Sequence, residues 1–211
     1  MSTLKSSAEN LTLNADGSGT DIIFQSNGSN VATLDQAGLL TATTFAGSGA
    51  SLTGITTGKV LQVVQGVKVD TFSHGSASWA DITGLTVNIT PSSSSNKILV
   101  SYTTNLSGST TGGHTSLVRC LRDSTAIGGG TQVGTNRKSA SGLHCNRDTV
   151  EMNWISYEYL DSPSTTSATT YKVQLFGEGA ATHYINRSGN DGDFAYHGRY
   201  ASSITVMEIG A

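Results

Sequence analysis

Side chains able to do chemistry are few and scattered in this chain. Asp148, Glu151 and Glu158 come nearest to a carboxylate set, and glycosidic hydrolysis needs two carboxyls at a defined separation. They fall on or beside one strand-like run, where solvated charges on a strand face account for them. Asn190, Asp191, Gly192 and Asp193 offer oxygens to calcium but lack the full ligand spacing, so the tetrad reads as a turn. His74, His114, His144, His183 and His197 have no spacing that makes a metal site within one chain. A threefold axis could gather three copies of one of them. Cys120 and Cys145 make neither a CxxC motif nor a disulfide framework. Cys120, inside SLVRCLR, is expected to be a small, buried, reduced thiol. No nucleophile elbow, phosphate loop or zinc signature is present. The expectation is a protein that is not an enzyme and carries no cofactor or metal.

Recognition chemistry is better represented. Arg187, Tyr196, His197, Arg199 and Tyr200 cluster around the last long loop. Aromatic faces and bidentate guanidinium donors are what sugar and protein binding use. Tyr196 and Tyr200 fit equally well as partly buried supports. Asn136, Arg137 and Lys138 read as an exposed loop tip.

These residues must be carried by strands. In residues 83–106, Leu85, Val87 and Ile89 alternate with Thr86, Asn88 and Thr90, and Ile98, Val100, Tyr102 and Leu106 share one parity. Alternation at period two marks strands with one buried and one wet face, and Pro91 with four serines supplies the turn. Further strands are expected at 60–68, 78–82, 115–122, 149–160, 170–177, 180–185 and 203–209, with loops at 108–113, 123–134, 136–147 and 188–199. No helical period is found. Eight to ten strands at this spacing indicate a sandwich or jelly roll. Residues 115–122 are apolar on both parities, Leu117 and Leu121 on one and Val118 and Cys120 on the other. The Leu117 and Leu121 face is therefore expected to meet another subunit.

Composition narrows the class. Of 211 residues only 13% are charged, against a usual ~25%. There are 25 glycines and 2 prolines, and 36% of residues are hydrophobic, which favours folded β-structure over disorder. A surface wetted by hydroxyls and amides suits a long-lived extracellular or virion protein. The formal net charge of -3 provides no field for nucleic acid. No run approaches the ~20 apolar residues of a membrane span. MSTLKSSAEN lacks the apolar core of a signal peptide, so export by secretion is not expected.

After a polar lead at residues 1–9, residues 10–57 repeat a loose unit of about ten residues: NLTLNADGSG, DIIFQSNGSN, VATLDQAGLLTATTF. Each unit brings about two apolar side chains, too few for one chain to build a core. Three chains around an axis would stack six per layer. Phe45, Leu52 and Ile55 then read as apolar plugs at a glycine-rich joint between this shaft and a head at residues 58–211.

The phrases SNGSNVATLDQAGLLTATTFAGSGASLTGI and LQVVQGVKVDTFS…WADITGLTVNITPSSSSNKILVSY, with YKVQ and ASSITVMEIG, resemble fibre proteins of bacteriophages, marine and cyanobacterial ones in particular. That resemblance implies a homotrimer, with a head like the jelly rolls of tumour-necrosis-factor-like and complement-type domains. It implies a place on the virion surface after synthesis in the host cytoplasm. The implied partners are other copies of the chain, other virion proteins through the N-terminal region, and a host glycan or protein receptor, with neither nucleic acid nor membrane. The shaft repeats begin close to Met1, without a large anchor domain ahead of them. A capsid head fibre or decoration protein is thus the alternative to a tail fibre, and a polysaccharide-trimming enzyme stands further behind.

Shaft units with so little apolar surface should not offset a backbone entropy of about 1–2 kcal/mol per residue as single chains. A fragment of residues 58–211 is expected to stay soluble and β-rich, and a fragment of residues 1–57 to be unfolded by circular dichroism. A folded, self-associating 1–57 fragment would overturn the expectation that the shaft depends on the head.

Overall fold

The computed structural model describes residues 21–42, 44 and 60–211. Every regular element among them is a β-strand. The chain divides into two compact units, 1–55 and 56–211, taken separately here. Phe45, Leu52 and Ile55 lie outside the described residues, as does the repeat at 10–19.

In the first unit, β1 (Ile22–Ser26), β2 (Ser29–Leu34) and β3 (Leu40–Ala42) form an antiparallel sheet in chain order. Asn27 and Gly28 join β1 to β2, both with positive φ (50° and 76°). That conformation suits a two-residue hairpin, and it explains Asn-Gly at this position. Ile23, Phe24, Val31, Leu34, Leu39 and Leu40 are all exposed in the single chain.

The second unit is a sandwich of two antiparallel sheets. In one, β4 (Val60–Lys68) pairs β14 (Ser202–Ile209), which pairs β7 (Lys97–Gly108). β11 (Asn153–Asp161) lines the other edge of β7. Beyond the end of β14, β13 (His183–Ile185) takes over the same edge of β7 and pairs β5 (Phe72–His74). In the second sheet, β6 (Trp79–Ile89), β12 (Thr169–Gly177) and β8 (Thr115–Arg122) lie side by side. The far edge of β8 is shared by β9 (Thr125–Ile127) and β10 (Gly142–Cys145).

The alternating residues fill the interior. Leu85, Val87 and Ile89 of β6, Ile98, Val100, Tyr102 and Leu106 of β7, and Val118 and Cys120 of β8 join Tyr171, Val173 and Leu175 of β12 and Ile204 and Val206 of β14 in one core. Each such side chain contributes roughly 1.5–3 kcal/mol on burial. Cys120 is a free thiol that burial raises to about 12, a value at which it stays protonated and inert. Cys145 is free and exposed. Leu121 is buried and Leu117 half-buried on the opposite parity of β8.

Several strand limits differ from the sequence expectation. Residues 78–82 and 85–90 are one strand, β6, because three extra residues are taken up between Asp81 and Thr86, where Gly84 has φ 86°. Its inward parity changes from Ile82 to Leu85 across that bulge. β9 and β10 lie inside stretches expected to be loops, since each is only an edge segment on β8. β5 likewise carries no alternation long enough to show in the sequence. β11 starts at Asn153, not Thr149, and β13 is confined to His183–Ile185.

One end of the sandwich is tied by two buried carboxylates on the same row. Asp161 accepts hydrogen bonds from Arg122 Nη1 at 2.8 Å and from the Tyr171 hydroxyl at 2.7 Å, linking the two sheets. Glu208 is buried and accepts from Ser92 N (2.6 Å), Ser92 Oγ (2.8 Å), Asn96 Nδ2 (2.6 Å) and Gln62 Nε2 (2.7 Å). Burial alone would raise its pKa, but these donors together hold it at about 2. Its contribution to stability is therefore complete above the ordinary value near 4.5 and is lost as pH falls from there toward 2. Glu208→Ala is expected to cost about 3 kcal/mol in urea denaturation at pH 7, because several buried donors lose their acceptor at once. The difference from the parent should shrink as the pH is lowered below 4.

Candidate recognition loop

β13 ends at Ile185, and the next residue, Asn186, turns the chain with φ 66°. Asparagine tolerates this left-handed conformation. Its buried side chain then closes the loop at 187–201. Nδ2 donates to the carbonyls of Lys68 (2.8 Å) and Asp70 (3.1 Å), and Oδ1 accepts from Ser202 Oγ (2.6 Å). The Asn186 carbonyl accepts from Tyr200 N at 3.3 Å. From β7, Ser107 Oγ donates to the Arg187 carbonyl (2.5 Å) and Asn105 Nδ2 to that of Ala201 (3.0 Å). Both feet of the loop are thus fixed to one long strand. No sequence motif announces Asn186; the one signal is an asparagine directly after a strand.

Inside the loop the expected residues divide by role. Arg187 is engaged throughout: its Nε and Nη2 donate to the carbonyls of Ser188 and Gly189, both at 3.0 Å, and Nη1 lies 3.2 Å from Asp191. Its guanidinium also sits 4.1 Å above the Tyr184 ring. Arg199 pairs with the same Asp191, but its side chain is 53% exposed. Asp191 is committed to these two arginines, consistent with a turn rather than a calcium loop.

His197 Nδ1 donates to the Gly192 carbonyl at 2.8 Å, and its ring stands perpendicular to Phe194 and Tyr196. Phe194 and Tyr196 stack at 5.4 Å between ring centres, and they remain 55% and 71% exposed. Tyr200 is partly buried edge-on to Trp154 of β11, at 6.2 Å, while Trp154 is 63% exposed. Phe194, Trp154, Tyr184 and Asp191 therefore belong with the five residues read from the sequence. Trp154 could not be placed there from sequence, since it lies on a different strand.

The arrangement is a stapled loop presenting flat, open aromatic faces with one accessible guanidinium. It can stack against rings and donate planar hydrogen bonds. It brings no acid, base and nucleophile together. Asp148 Oδ1 accepts from Val150 N and Glu151 from Arg147 N and Asn153 Nδ2, whereas Glu158 stands on the outer face of β11. Among the described residues no group of three metal-ligating side chains is close enough to hold an ion. The tip at Asn136, Arg137 and Lys138 is exposed, as its polarity implies.

No family model matches the chain, and no curated protein matches it.

Asn186→Ala should free both feet of the loop. Limited proteolysis is expected to cut within 187–200 far faster than in the parent. Tyr196→Ala and Trp154→Ala should leave the denaturation midpoint within about 0.5 kcal/mol of the parent, as surface changes do. A large loss of stability in either would make these rings structural supports.

Proposed function

We propose that the chain is a virion fibre or spike protein that works as a homotrimer and binds a host-surface receptor, a glycan before a protein, through the loop at 187–200 and Trp154. The observation that carries this reading is the open aromatic surface itself. Two large rings, Phe194 and Tyr196, are kept more than half exposed on a loop whose backbone is tied down by buried amides, and Trp154 of the neighbouring β11 is equally open. A loop stabilised only for its own sake would bury those rings. Pre-ordered aromatic faces cost little entropy on binding, which suits a pyranose ring stacking on them.

The strand order supports a jelly-roll head. Taking β5 with β4, β13 with β14 and β9 with β10, the sheets run first-eighth-third-sixth and second-seventh-fourth-fifth, the wiring of two interleaved Greek keys. Self-association is supported by apolar residues on outward faces. Val63, Met207, Leu99 and Leu160 form one row across β4, β14, β7 and β11, with Val63 and Leu160 exposed and Val67 exposed nearby on β4. Among the described residues of the first unit, the large apolar side chains named above are likewise exposed. Such surfaces are covered in symmetric oligomers.

Light scattering of the full chain should give about three times the chain mass, and Val63→Asp or Leu160→Asp should shift it toward monomer. On a glycan array the parent should bind a restricted set of saccharides. Trp154→Ala, Tyr196→Ala and Arg199→Ala should each weaken that binding at least about tenfold with unchanged melting. A trimer that binds no saccharide or host-cell surface would instead favour the capsid-decorating role.

A further inference from the structure

The end of the sandwich under the recognition loop is closed by imidazoles instead of hydrocarbon. His183 of β13 is fully buried and lies opposite Gly108 of β7 on one side and His74 of β5 on the other. Its Nε2 donates to the Glu178 carbonyl at 3.3 Å, which leaves Nδ1 as a lone-pair nitrogen, and Nδ1 has no partner among the described residues. His144 of β10 is buried opposite Ser116 of β8. Its Nδ1 accepts from Asn153 Nδ2 at 2.7 Å, so the proton sits on Nε2, which is also unpartnered. Ser116 Oγ is a third buried atom without a partner.

The three form one row. Ser116 lies opposite both His144 and Gly177, and a Cβ added at Gly177 would run into the His183 ring. The charged and titratable groups facing this row are Glu151 beside His144, and Glu178, His114, His144 and, across β5, His74 beside His183. Glu178 is half exposed and lies 3.7 Å from His114. Neither His144 nor His183 is paired with a carboxylate among the described residues.

A proton added to His183 Nδ1 would be a buried donor with nothing to accept it. One added to His144 Nδ1 would break the bond to Asn153. Burial accordingly holds both imidazoles below the ordinary histidine value, and the positive fields of His144 and His114 lower His183 further. The unfolded chain then binds protons more tightly than the folded one. Stability from this layer is complete above about pH 6.5 and declines as pH falls below it.

The layer is continuous with the loop. The loop leaves β13 three residues after His183, at Asn186. Arg187 packs on Tyr184, the neighbour of His183. Asn190 N donates to the Thr149 carbonyl at 2.7 Å, and a Cβ at Gly189 would strike the carbonyl of Gly108, the residue opposite His183.

We propose that this imidazole row is an acid-sensitive latch: as pH falls below about 6.5, proton uptake by His144 and His183 loosens the loop-bearing end of the head while the carboxylate-tied end stays closed. Its consequence for receptor binding rests on the reading of 187–200 as the recognition loop; the local loosening does not.

The test is hydrogen exchange on the full chain, without any receptor, at pH 7.5 and 5.0, after correction for intrinsic rates. Protection within 105–116, 142–153 and 183–200 should fall at least about tenfold on acidification, and protection within 89–100 and 160–172 should hold. His144→Gln combined with His183→Asn should abolish that difference. Should the double variant fail to fold, imidazole NMR titration of the parent decides. His144 and His183 should then titrate below the ordinary histidine value. Equal loss of protection at both ends, no loss at either, or ordinary titration of His144 and His183 would each overturn the proposal. A chain that opens as expected yet binds no saccharide would retire the receptor reading and leave the latch standing.

Discussion

The head depends on the double pairing of β7. This strand of twelve residues is hydrogen-bonded along one edge to β11 and along the other to β14 and then β13. Its inward row, from Ile98 through Val100, Tyr102 and Thr104 to Leu106, spans the depth of the core. Its ends meet quite different chemistry. At Ile98 the neighbours are Glu208 and Asp161; at Gly108 the neighbour is His183. A slip of one residue along β7 would turn the whole apolar row outward and uncouple both ends together.

The polar groups at those ends follow opposite rules. The buried carboxylates are charged and fully supplied with donors, so they tie the sheets together. The buried imidazoles are neutral and each keeps one ring nitrogen unsatisfied. An unsatisfied buried polar atom costs free energy that a hydrocarbon of the same shape would not. The head therefore has one end whose electrostatics oppose opening and one whose electrostatics favour it once protons are added. The mobile chemistry lies at the end that carries the aromatic loop.

Within that loop, order and exposure have been separated. Asn186, Asn105, Ser107 and Arg187 absorb the hydrogen-bonding work inside, which leaves Trp154, Phe194, Tyr196 and Arg199 free to face solvent. The two arginines of the same loop thus have different tasks although they share Asp191. Arg187 is a strut with each of its three nitrogens engaged inside the loop; the Arg199 side chain is more than half exposed.

The sequence by itself determined the fold class, because alternation at period two in Leu85–Ile89, in β7 and in β12 states directly which side chains turn inward. It also marked the position of the polar loop at 188–199, since turn residues act through local backbone preference. The short edge strands β5, β9 and β10 were not legible. Three or four residues carry no period, and they become strands only because β8 and β13 offer unpaired edges. The bulge at Gly84 was hidden for a related reason: its effect on parity shows only against a partner strand. Tertiary structure alone put Trp154 beside Tyr200, made Asn186 the staple of the loop, and lined up His144, Ser116 and His183 in one row. Those groupings join residues 16 to 118 positions apart in the chain. Local preference cannot specify them, because they follow from register, which is set by burying the apolar face of every strand at once.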